Sequence, residues 1–342
     1  IKRIGGGVGS FTIDRVSVKE IIGRPLTQPT TGFKPKLRRV PKRLGQELVT
    51  NGNFAANSDW VGSGGTVAIS GGVLTLTSTG VGFAARAMAA MPMNLNVGAT
   101  YVLAVNTPSG GSFRLGSTQG LAQLYSSPVL PAGYTAVNWV ATADQAYITL
   151  TGSSTSGVQN TFTQASVREV LEWGWAWVFD GVDDILSTAS LPAGTDETIM
   201  VCATSLTNAG TARAPIGKRN LNNGLFLRRE SGGALNGNAM TGSGFGPMTL
   251  ETPHVNFSPF VATVSAKSGA SRGRLNGTQK ATTAGVYAGW AGPLGVGSEK
   301  GTDSGTQWSG YVFAAAYIPG TPTDAELLII ERAMAQLAGV TI

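Results

Sequence analysis

The chain has 342 residues, 42% of them hydrophobic and only 13% charged, with 48 glycines and 16 prolines. It is long enough for two ordinary domains and apolar enough to offset chain entropy, which excludes a disordered polymer. One cysteine, Cys202, cannot form an intrachain disulfide, and with a single histidine, His254, no zinc cluster or Cys/His dyad stands out.

Richness in Thr, Val, Ser and Gly points to short strands joined by turns, hence to an all-β fold. No apolar run reaches the roughly 18 to 20 residues that cross a bilayer as a helix. The best stretch, "VGFAARAMAAMPMNL", carries Arg86, so no membrane insertion is expected. The net charge of +6 is unevenly placed, with eleven Lys/Arg against Asp14 and Glu20 over residues 1–46 and fourteen against seventeen acids thereafter.

The chain opens on "IKRIGGG" without a methionine, as a processed or partial product would. "GGGVG" at 5–9 lacks the Lys-Ser/Thr of a phosphate loop and reads as a strand-joining loop. In "FTIDRVSVKEI" the alternation of Val16, Val18 and Ile21 predicts a half-buried strand over 1–22 that closes a domain lying mostly before residue 1. Residues 23–46 form a basic linker broken by Pro25, Pro29, Pro35 and Pro41. With only Phe33 among its aromatics, a solvated or protein-docked segment is expected there, and no nucleic-acid partner.

Residues 47–170 carry seven charges and no lysine, so their surface must be covered by Ser, Thr, Asn and Gly. Evenly spaced strand candidates follow one another: "GTVAISGGVLTLTS" with a Gly-Gly turn at 71 and 72, "TYVLAVNT", "GSFRLGS", "AVNWVATA" and "AYITLTG". Their count fits a sandwich of about eight strands, which "ASVREV" at 165–170 closes as "VSVKEI" does at 16–21. The opening "ELVTNGNF", then Trp60 and Trp139, then "FTQASVREV" resemble the jelly-roll modules of the carbohydrate-binding type, which recur in glycanases and in bacteriophage tail proteins. The resemblance covers 47–171 and implies structural roles for Trp60 and Trp139. Members often hold a structural calcium with an acid right after the opening Phe and an Asp in the closing strand; here Ala55, Gln164 and Ala165 occupy that neighbourhood.

In "WGWAWVFDGVDDILST" the alternation of Trp173, Trp175, Trp177 and Phe179 sends all four side chains to one strand face. Trp177 and Phe179 read as core, Trp173 and Trp175 as core or an interdomain contact. Cys202, between "IMV" and "AT", reads as a small core residue. His254 reads as a surface or loop histidine, and Arg228, Arg229, Arg272 and Arg274 as solvated strand residues able to meet acidic glycans. Near the end, Thr323 and Glu326 are spaced as a capping box, with Leu327, Ile330, Met334 and Leu337 on one face before Gly339. A single C-terminal α-helix is therefore predicted.

"WVFDGVDDILST", "APIGKRNLNNGLFLRRE", "GRLNGTQKATT", "GPLGVGSEKG" and the helix-bearing end resemble, in that order, laminin-G-like or concanavalin-A-like domains, many from phage tail and decoration proteins. The resemblance implies a second antiparallel β-sandwich over 172–342. Because such domains commonly follow an "RP" linker directly, the jelly roll at 47–171 is either inserted, with residues 34–46 pairing in the second sandwich, or one of a tandem array.

Asp180, Asp183 and Asp184 are the carboxylates that need an explanation. "DG" at 180 and 181 is a turn dipeptide, and Asp side chains there usually accept hydrogen bonds from nearby backbone N–H groups. Clustered oxygen ligands at a turn also suit calcium. Glycoside hydrolysis needs two carboxyls held across a bond, and the Glu-x-Asp-x-x-Glu string of concanavalin-A-like enzymes does not occur in this chain. The two resemblances imply a non-enzymatic virion component, in a tail, fibre or head decoration. It would assemble with other virion proteins and with copies of itself, and bind host-surface polysaccharide through loop aromatics such as Phe83, Tyr125 and Tyr134. The alternatives are the non-catalytic carbohydrate-binding portion of a secreted glycan-degrading enzyme or adhesin, and a decoration protein with no sugar affinity.

Overall fold

The structure, a computed structural model, describes residues 35–80, 84–206, 212–220, 223–241, 244–252, 258–284, 287–300 and 305–342. The expected closing strand at 1–22, the first half of the linker, Phe83 and His254 lie outside the described residues. The fold is all-β, as expected, with antiparallel sheets and one α-helix among the described residues. Residues 43–173 form a middle unit, and residues 35–42 join 174–342 in a C-terminal unit. In that second unit Val40, on β1 (Lys36–Leu44), is 4% exposed and packs in the core.

The middle unit contains β2 (Trp60–Ser63), β3 (Gly65–Ser70), β4 (Val73–Ser78), β5 (Arg86–Ala89), β6 (Met93–Asn94), β7 (Thr100–Thr107), β8 (Ser112–Gly116), β9 (Tyr125–Ser126), β10 (Gly133–Val140), β11 (Gln145–Thr151), β12 (Gln159–Phe162) and the first part of β13 (Gln164–Asp180). One sheet runs β2-β5-β11-β8-β9, with β6 beside β11; in the other, β7 lies between β10 and β13. The β3–β4 hairpin also pairs with β12. Its two-residue turn has Gly71 and Gly72 at φ 59° and 77°, the positive angles that a tight hairpin turn demands. Period-two patterning builds the core: Ala146, Ile148 and Leu150 of β11 face Tyr101, Leu103 and Val105 of β7 and Ala165 and Val167 of β13.

The opening "ELVTNGNF" is a fastening rather than a strand. The Glu47 carboxylate accepts from the backbone N–H groups of Leu48, Val49 and Val167 and pairs with Arg168 at 3.2 Å. Asn51, in the left-handed region at φ 50°, donates through Nδ2 to the carbonyls of Ala56 and Ser58. Phe54 is fully buried, and Trp60 packs on it at 5.4 Å while donating from Nε1 to the Asn51 carbonyl. Trp139 is 9% exposed against Tyr101, so both tryptophans are structural, as the motif implied.

The C-terminal unit is a sandwich with a helix on one outer face. One sheet joins the end of β13 to β24 (Ser309–Pro319), β15 (Asp196–Ser205), β20 (Phe260–Lys267), β21 (Ser271–Leu275) and β22 (Thr278–Thr283) in that order. The other runs β14 (Leu186–Ser187), β23 (Gly295–Val296), β16 (Arg213–Arg219), β17 (Gly224–Arg229), β18 (Leu235–Thr241), β19 (Gly244–Glu251). β15 divides its residues between two cores. Ile199, Val201 and Ala203 pack between the sheets, whereas Met200 and Cys202 face α1 (Asp324–Ala338). Cys202 is thus the core residue expected, and burial pushes its thiol pKa up.

Helix α1 carries the predicted capping box and ends on Gly339 at φ 69°. Leu327 and Met334 are buried, with Ile330 and Leu337 partly so, as the periodicity required. Glu331 is buried too, at 1% exposure, and Arg274 reaches it through Nε at 2.9 Å and Nη2 at 3.0 Å while Thr263 donates to Oε1 at 2.7 Å. The expectation of solvated strand arginines is corrected here: Arg229 and Arg274 are 4% and 5% exposed, and Arg228 pairs with Glu230 and Glu299. The partners lie up to 71 residues away in sequence, beyond the reach of local patterning. A second buried set joins Lys218 and Glu197, both fully buried, to the hydroxyls of Tyr287 and Tyr317.

Candidate functional site

The aspartate turn follows β13. Asp180 accepts through Oδ1 from the N–H groups of Val182 at 2.8 Å and Asp183 at 3.4 Å, and Asp184 accepts through Oδ2 from Asp180 N–H at 2.9 Å. Gly181, at φ 81°, makes the bend, and its carbonyl accepts from the Arg213 guanidinium, which also reaches the Gln307 carbonyl. Backbone fastening is therefore what Asp180 and Asp184 do here. One carboxylate oxygen from each of Asp180, Asp183 and Asp184 lies within 4.8 Å of the others, a spacing that divalent cations use. Burial, aided by the charges of Asp180 and Asp183, holds the Asp184 carboxyl above the usual range, although the Asp180 N–H and Lys36 oppose the shift.

The aromatic candidates are placed unequally. Tyr125 pairs with Leu115 and stacks on Phe113 at 5.5 Å, so one ring face is taken by the core of the middle unit. Tyr134 is half-buried on β10, opposite Asn106 of β7. Of the tryptophan row, Phe179 is 1% exposed and Trp177 packs on the same core, as expected. Trp175 is 64% exposed, which corrects its assignment to a core role.

A third feature was not anticipated. On β11, Ala146, Ile148 and Leu150 point into the core, so Tyr147, Thr149 and Thr151 stand on the outer face of the sheet. Thr149 lies between Met88 of β5 and Arg114 of β8; Thr151 lies between Arg86 and Ser112. Although they are on the outer face, Thr149 is 0% and Thr151 3% exposed, and neither hydroxyl has a hydrogen-bond partner among the described residues. Buried hydroxyls without partners are rare, because each forfeits the hydrogen bonds it made to water.

Residues 117–124 wall one end of this face. A Cβ on Gly116 would strike the carbonyls of Thr118 and Leu121 and the Gln123 side chain, and one on Gly120 would strike the Met88 sulfur at 2.7 Å. Gln119 Nε2 ties the wall to the Ala89 carbonyl at 2.8 Å. Polar positions alternating along "QAYITLT" were the sequence signal for this face. The signal is faint, because the same alternation describes any solvated strand.

No protein-family model and no curated protein matches the chain. Among solved structures it is similar to a native heptameric SAP-like pentraxin from Limulus polyphemus at 14% identity, covering 45% of this chain and 80% of that one with a TM-score of 0.37. It is similar to the CBM40 of Ruminococcus gnavus IT-sialidase bound to α2,3-sialyllactose at 13% identity, covering 41% and 84%, TM-score 0.34. Domain 4 of a GH43 extracellular arabinanase from Geobacillus stearothermophilus, in complex with arabinotriose, is similar at 14% identity, covering 46% and 77%, TM-score 0.37.

Proposed function

We propose that this chain is a non-enzymatic β-sandwich protein that binds saccharide on the outer face of the β2-β5-β11-β8-β9 sheet. The observation that carries the reading is the pair of buried, unsatisfied hydroxyls of Thr149 and Thr151 on a face otherwise lined by Ser112, Arg86, Arg114 and Tyr147. Both hydroxyls are covered here, so a polyol supplies the missing partners once the atoms over them shift, and rings and sulfur such as Tyr147 and Met88 suit the C–H faces of a sugar. A carbohydrate array spanning neutral and acidic polysaccharides tests it. Retention of the full chain is expected, weakened by Thr149→Val, which removes the hydroxyl and keeps the shape. Failure of every saccharide to be retained would overturn the reading.

The sequence resemblances support the reading that such a protein belongs to a bacteriophage particle, as part of a tail, fibre or head decoration, with other virion proteins and further copies of itself as neighbours. Many copies make weak single sites sufficient, because effective concentration multiplies them. Peptides of this chain in purified particles, found by mass spectrometry, are the expected result; their absence would remove the virion assignment. The Asp180, Asp183 and Asp184 turn is the proposed calcium site, in a structural rather than a catalytic role.

A further inference from the structure

We propose that the saccharide held on this face is acidic, its carboxylate or sulfate groups gripped by Arg86 and Arg114; this rests on the glycan reading above and narrows it. The middle unit has four arginines, and they divide cleanly. Arg168 pairs with Glu47 at 3.2 Å, and Arg43 stands 3.9 Å from Glu172. Arg86 and Arg114 form no ion pair with any described carboxylate, and the one hydrogen bond that either guanidinium makes among the described residues is from Arg86 Nη1 to the Gly120 carbonyl at 3.5 Å. In both, Nε is buried without a partner.

The two unpaired cations share one face. Arg86 is directly opposite Thr151 and Arg114 directly opposite Thr149, on the two strands that flank β11. Their backbones are two inter-strand spacings apart across the sheet and two residues apart along it, about 12 Å in all, with the unsatisfied hydroxyls between them. A guanidinium offers five N–H donors in a fork that matches carboxylate or sulfate, and such charge-assisted bonds are about twice as strong as neutral ones. A neutral sugar would satisfy the threonines and leave both forks without a counter-ion. Nucleic acid is the poorer fit, since such surfaces depend on many Lys/Arg contacts, and residues 47–170 hold three arginines, four acids and no lysine.

The test uses the full chain on immobilised polygalacturonate, dextran sulfate and uncharged dextran, with double-stranded DNA as a further polyanion. Retention by polygalacturonate or dextran sulfate at least about tenfold stronger than by dextran is expected, and the stronger of the two identifies the anionic group. Arg86→Gln and Arg114→Gln should each lose about tenfold, the double variant all of the preference, while Lys280→Gln, at an exposed position of the C-terminal unit, changes nothing. Arg86→Lys, which keeps charge and loses the fork, should fall between. Since neither guanidinium anchors the fold through an ion pair, circular dichroism should show all variants folded. Equal retention by dextran, with the arginine variants unaffected, would overturn the acidic assignment and leave saccharide binding intact. Equal retention by DNA would make the face a general polyanion surface and overturn it too. Retention by none of the polysaccharides would remove both proposals.

Discussion

The two units use the same residue types for opposite ends. In the C-terminal unit most buried cations meet a carboxylate: Lys218 meets Glu197, Arg219 and Arg228 meet Glu299, and Arg274 meets Glu331 and Asp324, while Arg229 reaches the Ser205 hydroxyl. In the middle unit Arg168 is tied in this way, but Arg86 and Arg114 stand beside unsatisfied threonines with no carboxylate partner among the described residues. The contrast separates charge that fixes a fold from charge that is left over after the fold is fixed. Only the second kind has binding capacity to give to a ligand.

Breaking the first kind should be the most damaging change. Lys218→Ala leaves the fully buried Glu197 carboxylate with two tyrosine hydroxyls and no counter-charge, so a loss of about 3–5 kcal/mol is expected from denaturant unfolding. A loss below about 1 kcal/mol would mean that the tyrosines alone satisfy the carboxylate. Arg274→Ala comes next, at about 2–3 kcal/mol, because it strands Glu331 under α1. Hydrogen exchange should then speed up first in the helix, and uniform acceleration over the whole unit would contradict the view that this contact docks α1.

A matched pair of substitutions sharpens the comparison. Thr198 in the C-terminal unit is fully buried, and its hydroxyl lies 3.0 Å from Ser265 Oγ and 2.8 Å from the Gly320 carbonyl. Thr198→Val should cost about 1 kcal/mol, whereas Thr149→Val, which removes a hydroxyl that bonds nothing, should be neutral or stabilise by up to about 1 kcal/mol. Opposite signs in the two midpoints are the expected outcome. A clear loss at Thr149 would show that its hydroxyl has a structural partner, and the glycan face would lose its main support.

Much of the fold was legible because it rests on local rules. The Gly71-Gly72 turn, the alternation along β7 and β11, the Thr323–Glu326 cap and the apolar stripe of α1 are all written within a few residues of one another. The aspartate turn was legible for the same reason, since the Asp180 and Asp184 carboxylates accept from backbone N–H groups within four residues. Partners distant in sequence were not legible. Nothing near Glu331 announces Arg274, 57 residues earlier, and nothing near Thr149 announces that its cross-strand neighbours are Met88 and Arg114. The exposure of Trp175 was hidden likewise, because alternation assigns a side chain to a face but not to the part of that face that is covered.

The smallest expected effect lies at Asp184, where the two kinds of charge meet. Burial and the neighbouring Asp180 and Asp183 raise its pKa above the ordinary 3.8, so the folded protein holds this proton more tightly than the unfolded chain does. Its contribution to stability is then fully present below that ordinary value and is lost as pH rises through the folded pKa. Asp184→Asn keeps an oxygen for the Asp180 N–H and carries no charge to strand, so it should gain on the parent, by less than about 1 kcal/mol, as pH goes from about 4 to 7. Equal pH slopes in the two proteins would show that this carboxyl does not titrate differently on folding. Calcium separates the remaining alternatives: if the three carboxylates hold it, millimolar calcium should raise the parent's melting temperature at neutral pH and leave Asp184→Asn behind, reversing the order seen without the ion. An unchanged order would make these aspartates fasteners of the turn alone, the role their backbone hydrogen bonds already fill.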